Sequence, residues 1–358
     1  MLQNQFKNKK PKSVRVMPKG KRLVSVYQGP DVNRTIEIED FETSEIGDSQ
    51  VLVKVSKSQV SAGSEKGYVT GMHSLPVTDA DMRRLPGYTT VGHVLEAGKS
   101  MSAFKPGDRV LTYGNHASHW VTEPDSNPSD PIKIQHIDFD ITDEQAAMAR
   151  LGDVALHCIR RGELQIDEKV AVFGVGVVGQ LLVSFAKISG AYPVIAVDMD
   201  DDRLELARQS GATHTVNAGK ENAAAAIQEI TNGGAQCVFH SNRNPNVLAD
   251  CMEAAAMRGK VCLVGSPPGK AEIGLQVDLL RRELDIRGSY GTIDYAHRNY
   301  VWTQRRDRVA IWRMIESGDL KVDHLISHVA RPEMANDLYQ KIGEGTSGWK
   351  GIFFDWTE

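Results

Sequence analysis

The stretch Lys169–Asp198, KVAVFGVGVVGQLLVSFAKISGAYPVIAVD, constrains the fold more than any other part of the chain. A short apolar, β-rich run, Lys169–Phe173, stops at Gly174-Val175-Gly176-Val177-Val178-Gly179, and a helical pattern follows. A second β-rich run, Pro193–Val197, ends on Asp198. Strand, glycine turn, helix, strand and acid together predict a dinucleotide-binding βαβ unit. Gly174 permits the tight turn, Gly176 lets backbone approach a pyrophosphate, and Gly179 lets the helix pack close to the strand. The helix N-terminus offers free N–H groups and a partial positive charge to the phosphates. Asp198, about 24 residues after Gly174, stands where a carboxylate accepts bonds from an adenosine ribose. It would repel a 2′-phosphate, and Met199 beside it carries no charge to hold one, so NAD is expected over NADP. Arg203 could reach the same ribose edge; its alternative is a solvated helix position.

With 358 residues, 41% of them hydrophobic, the chain can build one very large domain or two ordinary ones with real cores. Its net charge of −4 gives no electrostatic case for nucleic acid or for an anionic membrane. No apolar run reaches the length of a bilayer span. The N-terminal MLQNQFKNKKPKSV is basic and lacks the apolar centre of a secretory signal, and it reads as a mobile tail. Cys158, Cys237, Cys251 and Cys262 are scattered without a CxxC pair, so neither a disulfide framework nor a zinc knuckle is indicated. A reducing cytoplasm fits them.

Residues 14 to about 125 read as β-structure, with runs at Arg22–Val26, Thr35–Ile38 and Val51–Val55 and a helical pattern only near Thr78–Arg84. Glu144–Gly162 is strongly helical. After the glycine unit, helices at Asp201–Gln209, Ala223–Thr231 and Val247–Met257 alternate with strands at Thr213–Val216, Gln236–His240 and Val261–Gly265. Leu284–Gly288 would be the sixth strand of a doubly wound parallel sheet. Helices at Arg305–Ser317 and Pro332–Ile342 and a strand at Gly351–Phe354 close the chain. The class is therefore α/β, with a β-rich part ahead of a Rossmann sheet.

This order, with Pro86-Gly87, Gly92, Val94 and Gly98, then Lys105-Pro106-Gly107-Asp108-Arg109-Val110, then Val154–Gly162 and the glycine fingerprint, resembles the medium-chain dehydrogenase/reductase superfamily of zinc-type alcohol and polyol dehydrogenases. The resemblance covers nearly the whole length. It implies a GroES-like catalytic domain, residues 1–155 and 294–358, and a Rossmann NAD-binding domain, residues 156–293, with the active site in the cleft between them. It also implies a cofactor set of Gly174, Gly176, Val177, Val178, Gly179, Asp198, Arg203, Val154, Gly265 and Tyr290, with the nicotinamide over Val154 and near Tyr290. The equivalent of Leu284–Gly288 pairs across a two-fold axis in that family, which implies a homodimer or homotetramer.

The family's zinc ligands are missing from their places. Ala62 stands where the cysteine is usual, Tyr88 where the histidine follows Pro-Gly, and Arg150 near the third ligand. Alanine and tyrosine are poor zinc partners and arginine repels the ion, so no metal is expected. Tyr113–Pro124 contains no cysteine, so the second, structural zinc lobe is missing as well. His116 and His119 form a minor alternative metal pair, and His93 reads as a core residue of a buried strand. Without zinc, protein groups must stabilise a developing alkoxide and take its proton. The candidates are Tyr88 as acid/base, lowered in pKa by a nearby cation, with Arg150 or Lys66 assisting and Ser64 or Glu65 holding the substrate hydroxyl. Each has a structural alternative: Tyr88 as core filler, Arg150 with Glu65 as a salt bridge, Lys66 as solvated surface.

The Ser61-Ala62-Gly63-Ser64-Glu65 stretch is similar to a zinc-lacking branch that includes bacteriochlorophyllide hydroxyethyl dehydrogenases and sugar-type dehydrogenases. Met72–Leu85 and Tyr295–Arg308 would be specificity loops, supplying His73, Arg83, Arg84, Tyr295, His297, Tyr300, Trp302 and Arg305. Such a lining suits a small polar alcohol, polyhydroxylated or anionic. The expectation is a zinc-independent, NAD-dependent dehydrogenase of a secondary hydroxyl on a sugar, cyclitol or related molecule. The rivals are a zinc-free NAD(P)H-dependent quinone or enone reductase, which Asp198 disfavours, and a dinucleotide-binding protein without catalysis.

Overall fold

The computed structural model describes residues 17–27, 34–70, 83–122, 133–265, 267–290, 301–345 and 350–357. The chain begins with β1 (Lys19–Val26), antiparallel to β2 (Thr35–Glu42). Next come β3 (Val51–Val60) and a helix, α1 (Ala62–Thr70). The short β4 (Arg83–Arg84) pairs with β1. It is followed by β5 (Thr90–Ala97), β6 (Arg109–Thr112), β7 (His119–Val121) and β8 (Ile134–His136). Two expectations need correction here. Arg83–Arg84 is strand, not the end of a helix, and 78–82 lie outside the described residues. The helix α1 was not legible, because it has no apolar stripe; Ser61 starts it, with the Glu65 carboxylate reaching back to the Ser61 N–H at 2.7 Å.

The long helix α2 (Asp143–Arg161) starts on a capping box, in which Thr142 and Gln145 each accept the other's backbone N–H. Then follow β9 (Val170–Phe173), α3 (Val177–Ile188), β10 (Val194–Asp198), α4 (Asp201–Gln209), β11 (His214–Asn217), α5 (Ala223–Thr231), β12 (Ala235–His240), α6 (Val247–Ala254), β13 (Ala255–Leu263) and β14 (Asp285–Gly288). The six strands form a parallel sheet in the order β11-β10-β9-β12-β13-β14. Every residue of β9 is buried, as expected for a strand covered by helices on both faces. Residues 255–257 are strand rather than helix, so β13 begins at once where α6 ends.

The chain closes with α7 (Gln304–Glu316), β15 (Ile326–Ala330), α8 (Ala335–Glu344) and β16 (Gly351–Asp355). The last strand returns to the front of the molecule. It pairs with β3 in a sheet of order β15-β16-β3-β5-β6-β8, with β7 on β3. A single core joins the two sheets through α2: Val91, Leu111 and Phe353 of the front sheet and Val170 and Val172 of the parallel sheet belong to it. On the α2–α7 contact, Trp312 is fully buried and donates to the Ala146 carbonyl at 2.9 Å. A Cβ on Gly152 would lie 3.0 Å from Ile311. The second cover is α8, whose Leu338, Tyr339 and Ile342 pack with Leu23, Ile352 and Phe354. His93 lies on β5 but faces outward and is exposed, contrary to the core position expected of it. All four cysteines are free and buried.

Candidate active site

The parallel sheet places a glycine turn at its topological switch point, the crevice between β9 and β12. Gly174 has φ +89°, and a Cβ there would meet the Ser241 carbonyl group of the neighbouring strand exit at 3.1 Å. A Cβ on Gly179 would sit 2.0 Å from the Gly174 carbonyl oxygen, so only glycine lets α3 approach the turn. Gly176 caps α3 and faces open space. Val177 and Val178 form the half-buried first turn of that helix. Asp198 ends β10 and is fixed by backbone: its carboxylate accepts from the N–H groups of Val175 (2.9 Å), Met199 (2.8 Å) and Asp200 (3.2 Å). Arg203 lies 3.7 Å from both Asp198 and Asp200. Gly265 follows β13, where a Cβ would meet the Asn242 carbonyl oxygen at 2.3 Å, so it permits two strand exits to touch. Tyr290, just beyond β14, is exposed, and Val154 is half-buried on an otherwise buried stretch of α2.

A second constellation gathers beside this turn. The loop after β12 is tied to the start of α1 by Arg243, which donates to the Gly63 carbonyl. There Ser61, Ser64, Tyr88 and Arg150 converge. Tyr88 is half-buried and Ser64 exposed. Burial, joined by the Glu65 charge, pushes the Tyr88 phenol up from its ordinary value; the Ser61 and Ser64 hydroxyls and the Arg150 charge pull the other way without winning. The expectation of a lowered phenol is therefore corrected, because desolvation exceeds the attraction of one cation. The Arg150 guanidinium lies 5.4 Å from the Tyr88 ring centre and 4.7 Å from that of Tyr113. Its Nη1 donates to Asp153 at 2.8 Å. Burial opposes the Arg150 charge, but Asp153 and the two tyrosines hold its pKa above the ordinary value. Asp153 also accepts from Arg308 Nε at 3.1 Å, and Arg308 donates to the Tyr113 hydroxyl at 2.8 Å.

Glu65 supports this group through Ser61, and its charge acts on Tyr88. Glu65 is completely buried, and its carboxylate accepts from the Ser61 N–H, from the Tyr339 hydroxyl and from His116 Nε2 at 3.1 Å. His116 in turn bonds Ser58 Oγ at 2.7 Å, which accepts from Trp356 Nε1 at 2.8 Å. Complete burial under three donors keeps that carboxylate away from a substrate, and its partner is His116 rather than the Arg150 of the salt-bridge alternative. Lys66 Nζ lies near Gly345, at the C-terminal end of α8. Of the loop residues, Arg83 pairs with Glu39 at 2.7 Å, and Trp302 lies between Arg160 (3.5 Å) and Arg306 (4.2 Å). His73, Tyr295, His297 and Tyr300 lie outside the described residues.

Ser61, Tyr113, Asp153, Arg308 and Tyr339 were missed in the sequence because their segments are far apart and each looks ordinary alone; His116, read there as half of an alternative metal pair, instead bonds Glu65 and Ser58. The Arg150–Asp153 spacing was the one local signal, since residues three apart share a helix face. Lys350 was missed too. Burial lowers its pKa and Asp202 and Asp200 oppose this, which places a C-terminal cation at the edge of the ribose region.

The glycine turn, Asp198 and the adjoining polar corner define a dinucleotide-linked oxidoreductase. Residues 177–305 match the family model described as zinc-binding dehydrogenase. Sorbitol dehydrogenase of Bacillus subtilis (strain 168) is 30% identical over 290 residues, covering 74% of this chain and 80% of that protein. A solved alcohol dehydrogenase from E. coli CFT073, complexed with NADH, superposes with a TM-score of 0.79 at 18% identity, covering 94% of this chain and 99% of that one. An NADP-bound zinc-binding dehydrogenase structure from Sinorhizobium meliloti 1021 gives a TM-score of 0.76 at 20% identity, with the same coverage. The chain belongs to the zinc-binding dehydrogenase family of the medium-chain dehydrogenase/reductase superfamily and is an oxidoreductase acting on the CH–OH groups of alcohols.

The zinc of that family does not fit this corner. Ala62 has no donor atom, the Tyr88 phenol is held protonated by burial, and Arg150 is a cation bonded to Asp153. Among the described residues no group of three or more His, Cys, Asp or Glu could hold a metal ion. No described helix is long and apolar enough to cross a membrane.

Proposed function

We propose a zinc-independent, NAD-dependent dehydrogenase of a secondary hydroxyl on a sugar, cyclitol or related polar alcohol, with Tyr88 as acid/base. The observation that carries this reading is the Tyr88 phenol between two serine hydroxyls with the Arg150 guanidinium 5.4 Å from its ring centre, where the resemblance implies metal ligands. Gly174, Gly176, Val177, Val178, Gly179 and Asp198 would hold the dinucleotide, with Val154, Gly265 and Tyr290 bordering its nicotinamide end. NAD, when bound, supplies the hydride acceptor. Ser64, exposed beside Tyr88, orients the substrate hydroxyl. Tyr88 in its phenolate form removes the hydroxyl proton, and in its neutral form returns one in carbonyl reduction. Arg150 stabilises negative charge on the phenolate and on the substrate oxygen. Glu65 acts as a positioning residue, fixing the Ser61–Ser64 turn through the Ser61 N–H.

Asp198 supports NAD, because backbone N–H groups fix its carboxylate at the end of β10, where it would repel a 2′-phosphate. The same argument sets aside an NADPH-preferring quinone or enone reductase. The division into 1–155 with 294–358 and 156–293, a cytoplasmic location suited to four free thiols, and pairing of two copies through the edge strand β14 belong to this proposal. The test is cofactor reduction by chelator-treated protein with NAD and NADP, across sugars, cyclitols and their phosphates. Chelator-resistant turnover with NAD is expected. Activity that returns only on adding zinc would overturn the reading.

A further inference from the structure

We propose that Asp153 is a positioning residue for the Tyr88 corner, holding the Arg150 guanidinium beside the phenol and cancelling part of its charge; this rests on the proposed reading of Tyr88 as acid/base. Arg150 and Asp153 are three apart on α2 and share a face of the helix. Both are buried, at 3% and 1% exposure. Arg150 Nη1 donates to Asp153 Oδ1 at 2.8 Å. Nε of the same guanidinium is buried without a hydrogen-bond partner among the described residues. The bond to Asp153 therefore sets where the charge sits, 5.4 Å from the centre of the Tyr88 ring.

Asp153 does not serve Arg150 alone. Its other oxygen, Oδ2, accepts from Arg308 Nε at 3.1 Å, across from α7. Both oxygens thus accept guanidinium N–H groups, the arrangement of an ionised carboxylate. Burial pushes the Asp153 pKa up, and the two guanidiniums oppose this. Where water is excluded, one charge is felt by another across several ångströms. The Asp153 charge then offsets part of what Arg150 offers a phenolate, and Arg308 offsets part of Asp153. The chain of influence runs from Arg308 on α7, through Asp153 and Arg150 on α2, to Tyr88 ahead of β5.

Other groups face this chain from every side. Glu65 and the Ser61 and Ser64 hydroxyls act on Tyr88 from the start of α1. The Tyr113 ring, just after β6, lies 4.7 Å from the Arg150 guanidinium and 5.2 Å from that of Arg308. Asp307, next to Arg308 on α7, is buried, feels the Asp153 charge and is paired with Arg160 at 2.8 Å. His157, one turn further along α2, stays neutral, because burial and the charges of Arg161 and Arg160 hold its pKa down at about 4. Arg150 favours the Tyr88 phenolate and Glu65 opposes it. Removing the negative charge at Asp153 shifts that balance towards the phenolate, and removing the positive charge at Arg308 shifts it away.

The experiment follows the Tyr88 phenol by carbon NMR of protein isotopically labelled at tyrosine Cζ, its resonance assigned by loss in Tyr88→Phe. Asp153→Asn removes the charge, while the amide oxygen can still hold Arg150. The pH at which the phenol ionises should fall by about one unit, the effect of a unit charge about 10 Å away at an effective dielectric constant of about 20. Arg308→Gln should raise it, because Asp153 is then left to Arg150. Damage to packing alone would not move the phenol in opposite directions in the two variants. Asp153→Glu, which keeps the charge, should stay near wild type. The rising pH limb of alcohol oxidation should move with the phenol in each. Folding is checked by NADH binding, and where Asp153→Asn does not fold, Arg308→Gln decides by itself. A phenol unmoved or raised in Asp153→Asn, or unmoved or lowered in Arg308→Gln, overturns the proposal. Phenol shifts in the expected directions with the pH limb of turnover left in place would uphold the Asp153 coupling and overturn Tyr88 as acid/base.

Discussion

The glycine turn and the Tyr88 corner lie side by side and are built in opposite ways. The turn is local: Gly174, Gly179 and Asp198 fall within one βαβ unit, and backbone atoms do most of the work. The corner is assembled from four separate places, the start of α1, the loop before β5, α2 and, through Arg308, α7. A backbone site depends on the absence of side chains, so it tolerates little change in size. A side-chain site depends on the mutual burial of charges and phenols, so its chemistry shifts with every neighbour. That difference fits one half of the cleft keeping its family pattern while the other carries Ala62, Tyr88 and Arg150 where the resemblance implies metal ligands.

The sharpest way to break the comparison is Tyr88→Phe, which removes one hydroxyl and keeps the ring. Turnover should fall about 10²–10⁴-fold, with substrate affinity changed far less, in steady-state assays of NAD reduction. Near-normal turnover would reduce Tyr88 to packing. Because burial raises the phenol, the wild-type rate of alcohol oxidation should climb with pH and still be climbing at the ordinary tyrosine pKa of 10.0. Carbonyl reduction, which needs the neutral phenol, should not decline before that range. The climb should vanish in the phenylalanine variant.

Gly179→Ala comes next. Its methyl group would press on the Gly174 carbonyl, and overpacking of this kind costs about 1–3 kcal/mol. Fluorescence titration of NADH should show weakening of about tenfold or more, with thermal stability lowered. An unchanged affinity would mean that α3 can slide away and that the turn is less rigid than the corner.

Asp198→Ala should act on selectivity rather than rate. Losing the carboxylate should weaken NAD and relieve NADP, narrowing their ratio by roughly tenfold, one bond to a charged group. If NADP already binds more tightly to wild type, Arg203 and Lys350 dominate the ribose edge instead. The smallest effect is expected from Ala62→Cys. It restores one zinc ligand next to a phenol and a guanidinium, so elemental analysis should show no stoichiometric metal. Zinc uptake would mean that Arg150 swings out of the corner.

How much of each region could be read follows from the same contrast. The fingerprint, the alternation of strands with helices and the sixth strand β14 were legible because turn chemistry and alternation are written in neighbouring residues. The vacated ligand positions were legible too, since they are questions of residue identity. The electrostatics were not. Glu65 looked like a substrate contact and is a buried acceptor for Ser61, His116 and Tyr339; Lys66 looked like an assistant and belongs to the end of α8. His93 looked buried because its neighbours are apolar, yet β5 turns it outward.

By itself the sequence determined a strand–turn–helix with Gly174, Gly176 and Gly179 of the dinucleotide-binding type, and that no metal donor stands at position 62 or 150. Those facts need only backbone geometry and the atoms each side chain carries. Only the tertiary structure decided what the charged groups do there. Whether Arg150 meets Glu65 or Asp153, and whether Tyr88 is lowered by a cation or raised by burial, depends on distance and solvent exclusion between segments as far apart in sequence as Glu65 and Tyr339, 274 residues. Coulomb attraction and desolvation are of similar size and opposite sign in such a place, and packing alone sets the balance.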